Sequence, residues 1–228
     1  KNGLYEKVNG VREKLIRYYG TEEVIEIEEG IKIIGPTCFK NKDITNITLP
    51  ESLEEIGGTA FGITKLERLN LEKNVKKLEP TFLYWSNITE IMINEENPYY
   101  VVENDVLYKK DKEEVKKELV LPIEPIDKIV EFEIPYGVTK IGDRAFYNKS
   151  KMTKIILPET ITEIGWQAFG NCKSLKEIDI PSNVEKIENY CFDTCDNLSE
   201  IRINKAKGSI AGEPWGADKG ERAVIWLK

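Results

Sequence analysis

Met152–Phe169 reads MTKIILPETITEIGWQAF, and its pattern of apolar residues returns in ITNITLPESLEEIGGTAF (Ile44–Phe61) and LKEIDIPSNVEKIENYCF (Leu175–Phe192). With the closing aromatic as reference, the pattern ends at Phe39, Phe61, Leu83, Phe146, Phe169, Phe192 and Trp215, in steps of 22, 22, 63, 23, 23 and 23 residues. Five residues before the reference stands an aliphatic in every case: Ile34, Ile56, Leu78, Ile141, Ile164, Ile187 and Ile210. A fixed period of this length means a stacked solenoid, in which each unit buries its apolar face only against its neighbours. Solenoids work mostly by presenting a surface, so the period favours binding over catalysis.

Two further apolar columns lie fourteen and twelve residues before the reference, for example Ile47 and Leu49, or Ile178 and Ile180. That two-residue spacing puts both side chains on one face of a β-strand. The residues at −15 and −13 are mostly polar, which predicts that the other face meets solvent. Proline at −11 (Pro50, Pro135, Pro158, Pro181) ends the strand, because it cannot donate to a ladder. Gly35, Gly57, Gly142 and Gly165 follow the −5 aliphatic and are expected to serve turns with unusual backbone angles. Each unit is therefore expected to run strand, turn, short extended piece, then one helical turn that carries the aromatic inward.

The 63-residue step holds an interruption, NEENPYYVVENDVLYKKDKEEVKKELVLPIEP, which begins at Asn94. VVENDVLY and KKELVLP read as two strands of a projecting hairpin joined by the charged KKDKEEVK. The N-terminal NGLYEKVNGVREKLIRYYG resembles NDVLYKKDKEEVKKELVLP, with Leu4-Tyr5 matching Leu107-Tyr108 and Leu15-Ile16 matching Leu119-Val120. The chain is thus expected to begin partway through a unit of the inserted type, with Lys1 not a natural start. One domain over 1–228 is expected, with a hairpin or partial unit at 1–20, the insertion at 94–128 and a closing unit at 198–228. The N-terminal hairpin and the AVIW strand near the C-terminus are the expected caps.

These residues resemble the BspA-like class of bacterial leucine-rich repeats, whose unit reads roughly LxxIxIPxxVxxIGxxAFxxC. The match runs over nearly the whole chain. Departures are Leu83 for the aromatic, Phe82 for the small residue before it, and Lys207 at a usually aliphatic position. The resemblance implies a β-rich α/β leucine-rich-repeat solenoid. A curved parallel sheet would line its concave side, short helical turns and loops its convex side, and a β-hairpin would be inserted. It also implies an exported protein of the bacterial cell surface or cell wall, with adhesion to a host extracellular-matrix or cell-surface protein, or a glycan, as its role. The family shares no catalytic residues.

The 228 residues carry a net charge of −7 with 33 basic and 40 acidic side chains. That balance argues against a nucleic-acid partner and against docking on anionic membranes. No apolar run of 18 residues exists to span a bilayer. The complete lack of histidine removes Ser-His, Cys-His and His-metal mechanisms together. No cofactor is expected. Paired carboxylates such as Glu22-Glu23 and Glu113-Glu114 read as solvated surface charge, and Asn94–Asn97 lacks the spaced acidic ladder of a calcium loop. Cys38, Cys172, Cys191 and Cys195 fall at repeat positions and read as small buried hydrophobes rather than disulfides.

The candidate ligand surface is the outward face of the strands. Its −15 column reads Asn46, Arg68, Glu90, Glu131, Lys154, Glu177 and Glu200, and its −13 column reads Thr48, Asn70, Met92, Glu133, Ile156, Asp179 and Arg202. Tyr99 and Tyr100 in the insertion are the aromatic candidates, beside Tyr108, Tyr84, Trp85 and Trp166. A monomeric binding domain is expected. A rigid spacer that holds another domain away from the envelope is the alternative, and a carbohydrate-acting enzyme is a more distant one.

Overall fold

The computed structural model describes residues 2–110, 117–123, 128–217 and 223–228. The chain divides into two compact units, Lys1–Asp105 and Val106–Lys228. The N-terminal unit contains β1 (Gly3–Val8), β2 (Val11–Tyr18), β3 (Val24–Glu26), β4 (Ile33–Ile34), β5 (Asn46–Thr48), β6 (Glu55–Ile56), β7 (Arg68–Leu71), β8 (Lys77–Leu78), β9 (Glu90–Ile93) and β10 (Tyr100–Glu103). The C-terminal unit contains β11 (Val106–Lys110), β12 (Lys117–Pro122), β13 (Glu131–Glu133), β14 (Val138–Ile141), β15 (Lys154–Ile156), β16 (Glu163–Ile164), β17 (Glu177–Ile180), β18 (Lys186–Ile187), β19 (Glu200–Ile203) and β20 (Ala223–Trp226).

Within each unit, successive coils stack in parallel at the repeat phase: Ile34 pairs with Ile56, Ile56 with Leu78, Ile141 with Ile164 and Ile164 with Ile187. This −5 ladder is the longer one, β2-β4-β6-β8 in one unit and β12-β14-β16-β18 in the other. The −14/−12 strands, expected as one curved sheet, form shorter ladders: β3-β5, β7-β9, β13-β15 and β17-β19-β20.

The core is the set of repeated inward positions. Ile25, Ile47, Leu69, Ile155, Ile178 and Ile201 are buried at −14, with Ile27, Leu49, Leu71, Ile134, Ile180 and Ile203 at −12. The reference rings stack along each unit. Tyr18, Phe39 and Phe61 follow at 5.4 and 5.5 Å, and Phe146, Phe169 and Phe192 at 5.6 and 5.8 Å between centroids. Offset aromatic contacts at such spacings add about 0.5–1.5 kcal/mol each beyond the area they bury. All four cysteines are buried thiols outside any disulfide. The thiols of Cys172 and Cys195 donate to the carbonyls of Phe146 and Phe169, and burial pushes the Cys38 thiol up to about 12 and the Cys172 and Cys191 thiols well up, so these three are not poised as nucleophiles.

No helix occurs among the described residues, and the expected helical turn is instead a run of consecutive β-turns. In the coil of Phe146, Ala145, Tyr147 and Lys149 N–H groups donate to the carbonyls of Gly142, Arg144 and Phe146. The alternate N–H groups of Arg144, Phe146 and Asn148 donate to Trp166, Ala168 and Gly170 of the next coil, so every donor in the run is satisfied. This geometry puts the residues at −2 and +2 into the left-handed region. Thr37, Thr59, Thr81, Arg144, Gln167 and Tyr190 do so at −2, and Asn41, Ile63, Trp85, Asn148, Asn171 and Thr194 at +2, with φ between 49° and 70°. A helix cannot host that alternation, because left-handed residues break its ladder.

The glycines after the −5 aliphatic have a different reason from the one expected. None of Gly35, Gly57, Gly142 and Gly165 is left-handed; a Cβ on Gly57 would sit 2.5 Å from Pro36 N, and one on Gly165 2.7 Å from Asp143 N. They are glycine because two backbones approach there, not because the turn needs their freedom.

Both hairpin-like segments are built into the stacks. β1 pairs antiparallel with β2, and β2 pairs parallel with β4; β11 pairs antiparallel with β12, and β12 pairs parallel with β14. The register shifts between Leu4 and Tyr5, and again between Leu107 and Tyr108, as the alignment of the two segments requires. β11 and β12 thus belong to the ladder of the C-terminal unit rather than projecting from it, while KKDKEEVK lies partly outside the described residues, at 111–116. VVENDVLY is not one strand, since Asn104 and Asp105 both have positive φ and interrupt it. Trp215, expected as a reference aromatic, accepts the Phe192 N–H. That bond puts it in the small-residue slot one position earlier, where Phe82 also sits. Both are fully buried, while Leu83 is half-buried.

Candidate functional site

Because inward side chains alternate with outward ones, the −15 and −13 residues take no part in the core. Asn46, Arg68, Asn70, Glu90 and Met92 are exposed on the N-terminal unit, as are Glu131, Glu133, Lys154, Ile156, Glu177 and Asp179 on the C-terminal one. Glu200 and Arg202 are half-buried. Register brings Arg68 opposite Glu90, Asn70 opposite Met92, Glu131 opposite Lys154, Glu133 opposite Ile156, and Asp179 opposite Arg202.

The arginines on this face are already engaged. Arg68 Nε lies 2.8 Å from Glu90 Oε2. Arg202 Nε donates to Asp179 Oδ1 at 2.6 Å, and its Nη1 donates to Glu177 and Glu200 at 2.9 Å each. Hydrogen bonds from the guanidinium hold the Glu177 and Asp179 carboxyls below their usual range and raise Arg202 itself. The C-terminal unit therefore carries a cluster of one guanidinium and three carboxylates at β17-β19, with Ile156 43% exposed on β15; on the N-terminal unit Met92 is 46% exposed.

The aromatic candidates divide. Tyr100 is buried: its hydroxyl accepts the Leu78 N–H at 3.0 Å and donates to the Lys76 carbonyl, so it locks a turn and offers nothing to a ligand. Tyr108 is buried as well, whereas Tyr99 is 39% exposed. Trp85 is exposed and stacked on Tyr84 at 4.7 Å, and Trp166 lies under the Arg144 guanidinium at 4.4 Å. The oxygens of Asn94 and Asn97 are spent on the N–H groups of Glu96, Tyr99 and Tyr100. Among the described residues no group of three or more potential metal ligands gathers, and no helix is long and apolar enough to cross a membrane.

A second surface feature lies off the strand face. On the C-terminal unit an open groove of about 480 Å³ runs along the turns after the prolines, lined by Tyr136, Thr139, Thr162, Ser182, Glu185 and Lys205 among others. Tyr136 is 84% exposed. Its signal was present at −10, where Glu29, Glu51, Lys73, Glu159, Ser182 and Lys205 are its counterparts and Tyr136 is the one aromatic.

The model of the BspA type leucine-rich repeat region matches residues 17–115 and 126–213, in six copies. Among solved structures, a leucine-rich repeat protein from Eubacterium ventriosum is similar at 24% identity with a TM-score of 0.70, covering 90% of this chain and 60% of that one. A leucine-rich cell surface protein from Faecalibacterium prausnitzii is similar at 22% identity with a TM-score of 0.67, over the same shares. The pneumococcal vaccine antigen PcpA is similar at 23% identity with a TM-score of 0.63, over 87% of this chain and 56% of that one. The chain thus spans about 60% of the length of the first two, and at these identities they support the fold alone. No curated protein matches the chain.

Proposed function

The chain belongs to the BspA type leucine-rich repeat proteins, and from that premise we propose that it is a non-catalytic recognition domain displayed on the surface of a bacterial cell. It adheres to a host matrix or cell-surface protein, or to a glycan, through side chains that its fold leaves uncommitted. The observation that carries this reading is the outward strand face of each unit, where the side chains of Asn70 and Met92, and of Glu133 and Ile156, are exposed and make no hydrogen bond or ion pair among the described residues. Similarity to proteins described as a cell surface protein and a vaccine antigen supports display outside the cell.

The test is a binding screen of the purified chain against extracellular-matrix proteins, mucins and oligosaccharides. Saturable binding that is weakened by the joint change Met92→Ala, Glu133→Ala and Ile156→Ala, with unchanged melting, supports the reading. Binding to none of the panel turns the choice toward a spacer. The Arg202 cluster favours that second reading specifically, since the one cation there is already held by three carboxylates of its own unit and is not offered to a partner.

A further inference from the structure

Tyr136 sits at the second position of the turn Pro135–Val138. The Val138 N–H donates to the Pro135 carbonyl at 3.3 Å, and Gly137 is left-handed with φ of +97°. That combination fixes a turn whose third residue has positive φ and so favours glycine, and it holds the tyrosine on the rim. The turn is braced from the next coil: Gly137 N–H donates to Thr160 Oγ1 at 3.2 Å, which donates to the Val138 carbonyl at 2.7 Å. A ring this exposed, on a turn this well braced, contributes almost nothing to the core.

The groove beside it contains two kinds of polar group. Some are spent on neighbouring coils: Asn183 Nδ2 on the Glu159 carbonyl at 2.7 Å, Thr162 Oγ1 on the Thr139 carbonyl at 3.1 Å, Ser182 Oγ on Glu159 Oε2 at 3.1 Å. Others keep capacity. Thr139 Oγ1 and the Glu185 carboxylate make no hydrogen bond among the described residues, and Lys205 Nζ spends one of its three protons on the Val184 carbonyl at 2.8 Å.

We propose that this groove binds a neutral oligosaccharide, with Tyr136 stacked on a sugar ring and Thr139, Glu185 and Lys205 bonded to its hydroxyls. The proposal rests on the reading of the chain as a recognition domain and names the ligand class. A sugar ring has an apolar C–H face edged by hydroxyls that both donate and accept. The groove supplies the matching set: one flat exposed ring, an acceptor in Glu185, a donor in Lys205 and both in Thr139. Two carboxylates against one ammonium disfavour phosphorylated or sulfated chains. A single aromatic among hydroxyls and charges is too little apolar anchorage for a protein interface.

The experiment applies the purified chain to an array of neutral oligosaccharides built from glucose, galactose, mannose, xylose and N-acetylglucosamine, then titrates any hit by calorimetry. The proposal expects saturable binding, at least about tenfold weaker in Tyr136→Ala and near wild type in Tyr136→Phe. Glu185→Gln and Thr139→Val should each weaken it less. Because Tyr136 is a surface ring, the melting temperature should not move, so a loss cannot be blamed on unfolding. No binding to any of these sugars, or binding indifferent to Tyr136→Ala, overturns the site. A protein ligand lost with Tyr136 would show a peptide groove instead and overturn the sugar class. A protein ligand indifferent to Tyr136, and lost with the strand-face variants, removes only the groove and keeps the recognition reading.

Discussion

The turn column after the strand is built in opposite ways in the two units. In the N-terminal unit it closes on itself with charge: Lys73 lies 3.0 Å from Glu51 and 3.7 Å from Glu96, Lys32 lies 2.9 Å from Glu13, and Lys76 pairs with Glu54. Glu29 accepts the backbone N–H groups of Glu51 and Ser52. In the C-terminal unit the same offsets hold Thr139, Thr160, Thr162, Ser182, Asn183 and Tyr136, and a groove opens among them. Exposed ion pairs are individually weak, so the first arrangement is not a large source of stability. What differs is availability. The first surface pairs its lysines with carboxylates, whereas the second leaves Thr139 Oγ1 and the Glu185 carboxylate without a hydrogen bond among the described residues. Inside, the two units follow one rule: inward aliphatics, a ring stack and small or absent side chains where coils touch.

That shared inner rule can be broken most visibly at Phe82 and Trp215, the early aromatics of the two units. Phe82→Ala and Trp215→Ala are each expected to cost about 3–5 kcal/mol in urea unfolding, the range for emptying a fully buried aromatic site. Leu83→Ala, one residue later but half-buried, should cost no more than about 1 kcal/mol. Equal losses at Phe82 and Leu83 would show that the equivalence of Phe82 with Trp215 is mistaken. Next in size is the contrast of adjacent glycines. Gly57→Ala drives a Cβ into Pro36 and Gly35 backbone atoms and should cost about 2–3 kcal/mol, while Gly58→Ala, whose nearest contact is 3.4 Å, should be close to neutral.

The coil period, its phase and the buried columns were legible because each depends on neighbours that repeat the same sequence. A residue such as Ile164 meets Ile141 and Ile187 whatever the rest of the chain does. The glycines were misread because glycine answers two needs, freedom of φ and absence of a side chain, and only the distance between coils tells them apart. The run of turns around the reference aromatic was read as helical for a related reason. Nine of its twelve left-handed positions hold Thr, Arg, Gln, Tyr, Ile or Trp and three hold Asn, so composition does not announce them. Outward side chains are constrained least of all. The strand columns could be named from alternation, yet that Arg202 is shared by three carboxylates, that Tyr100 faces inward, and that Tyr136 edges a groove follow from contacts across coils.

A smaller effect separates the units at the +2 turn position. The C-terminal unit has Asn148 and Asn171 there, joined by a side-chain hydrogen bond, and asparagine tolerates the left-handed region. The N-terminal unit has Ile63, a β-branched residue at φ 56° that is 42% exposed. Ile63→Asn should therefore raise stability by about 1 kcal/mol by removing strain. Asn171→Ile should lower it by at least as much. A melting temperature unchanged by Ile63→Asn would mean that packing of the isoleucine offsets its backbone cost.

The smallest expected difference lies on the strand faces, between Arg68 with one carboxylate and Arg202 with three. Arg202 holds Glu177 and Asp179 below their ordinary values, so these carboxylates bind protons more weakly in the folded chain than in the unfolded one. Stability from such groups is complete above the unfolded values and is lost as pH falls through the lower folded ones. The gap in melting temperature between the wild-type chain and Arg202→Ala should accordingly be widest above about pH 5 and close as the solution is acidified toward about pH 3. Added salt should narrow it only in part, because the Arg202 side chain is 25% exposed against 75% for Arg68. Arg68→Ala should give a smaller gap that salt removes. If the two variants behave alike in both series, the three carboxylates add nothing over one, and the Arg202 cluster gives no support to a self-satisfied spacer face.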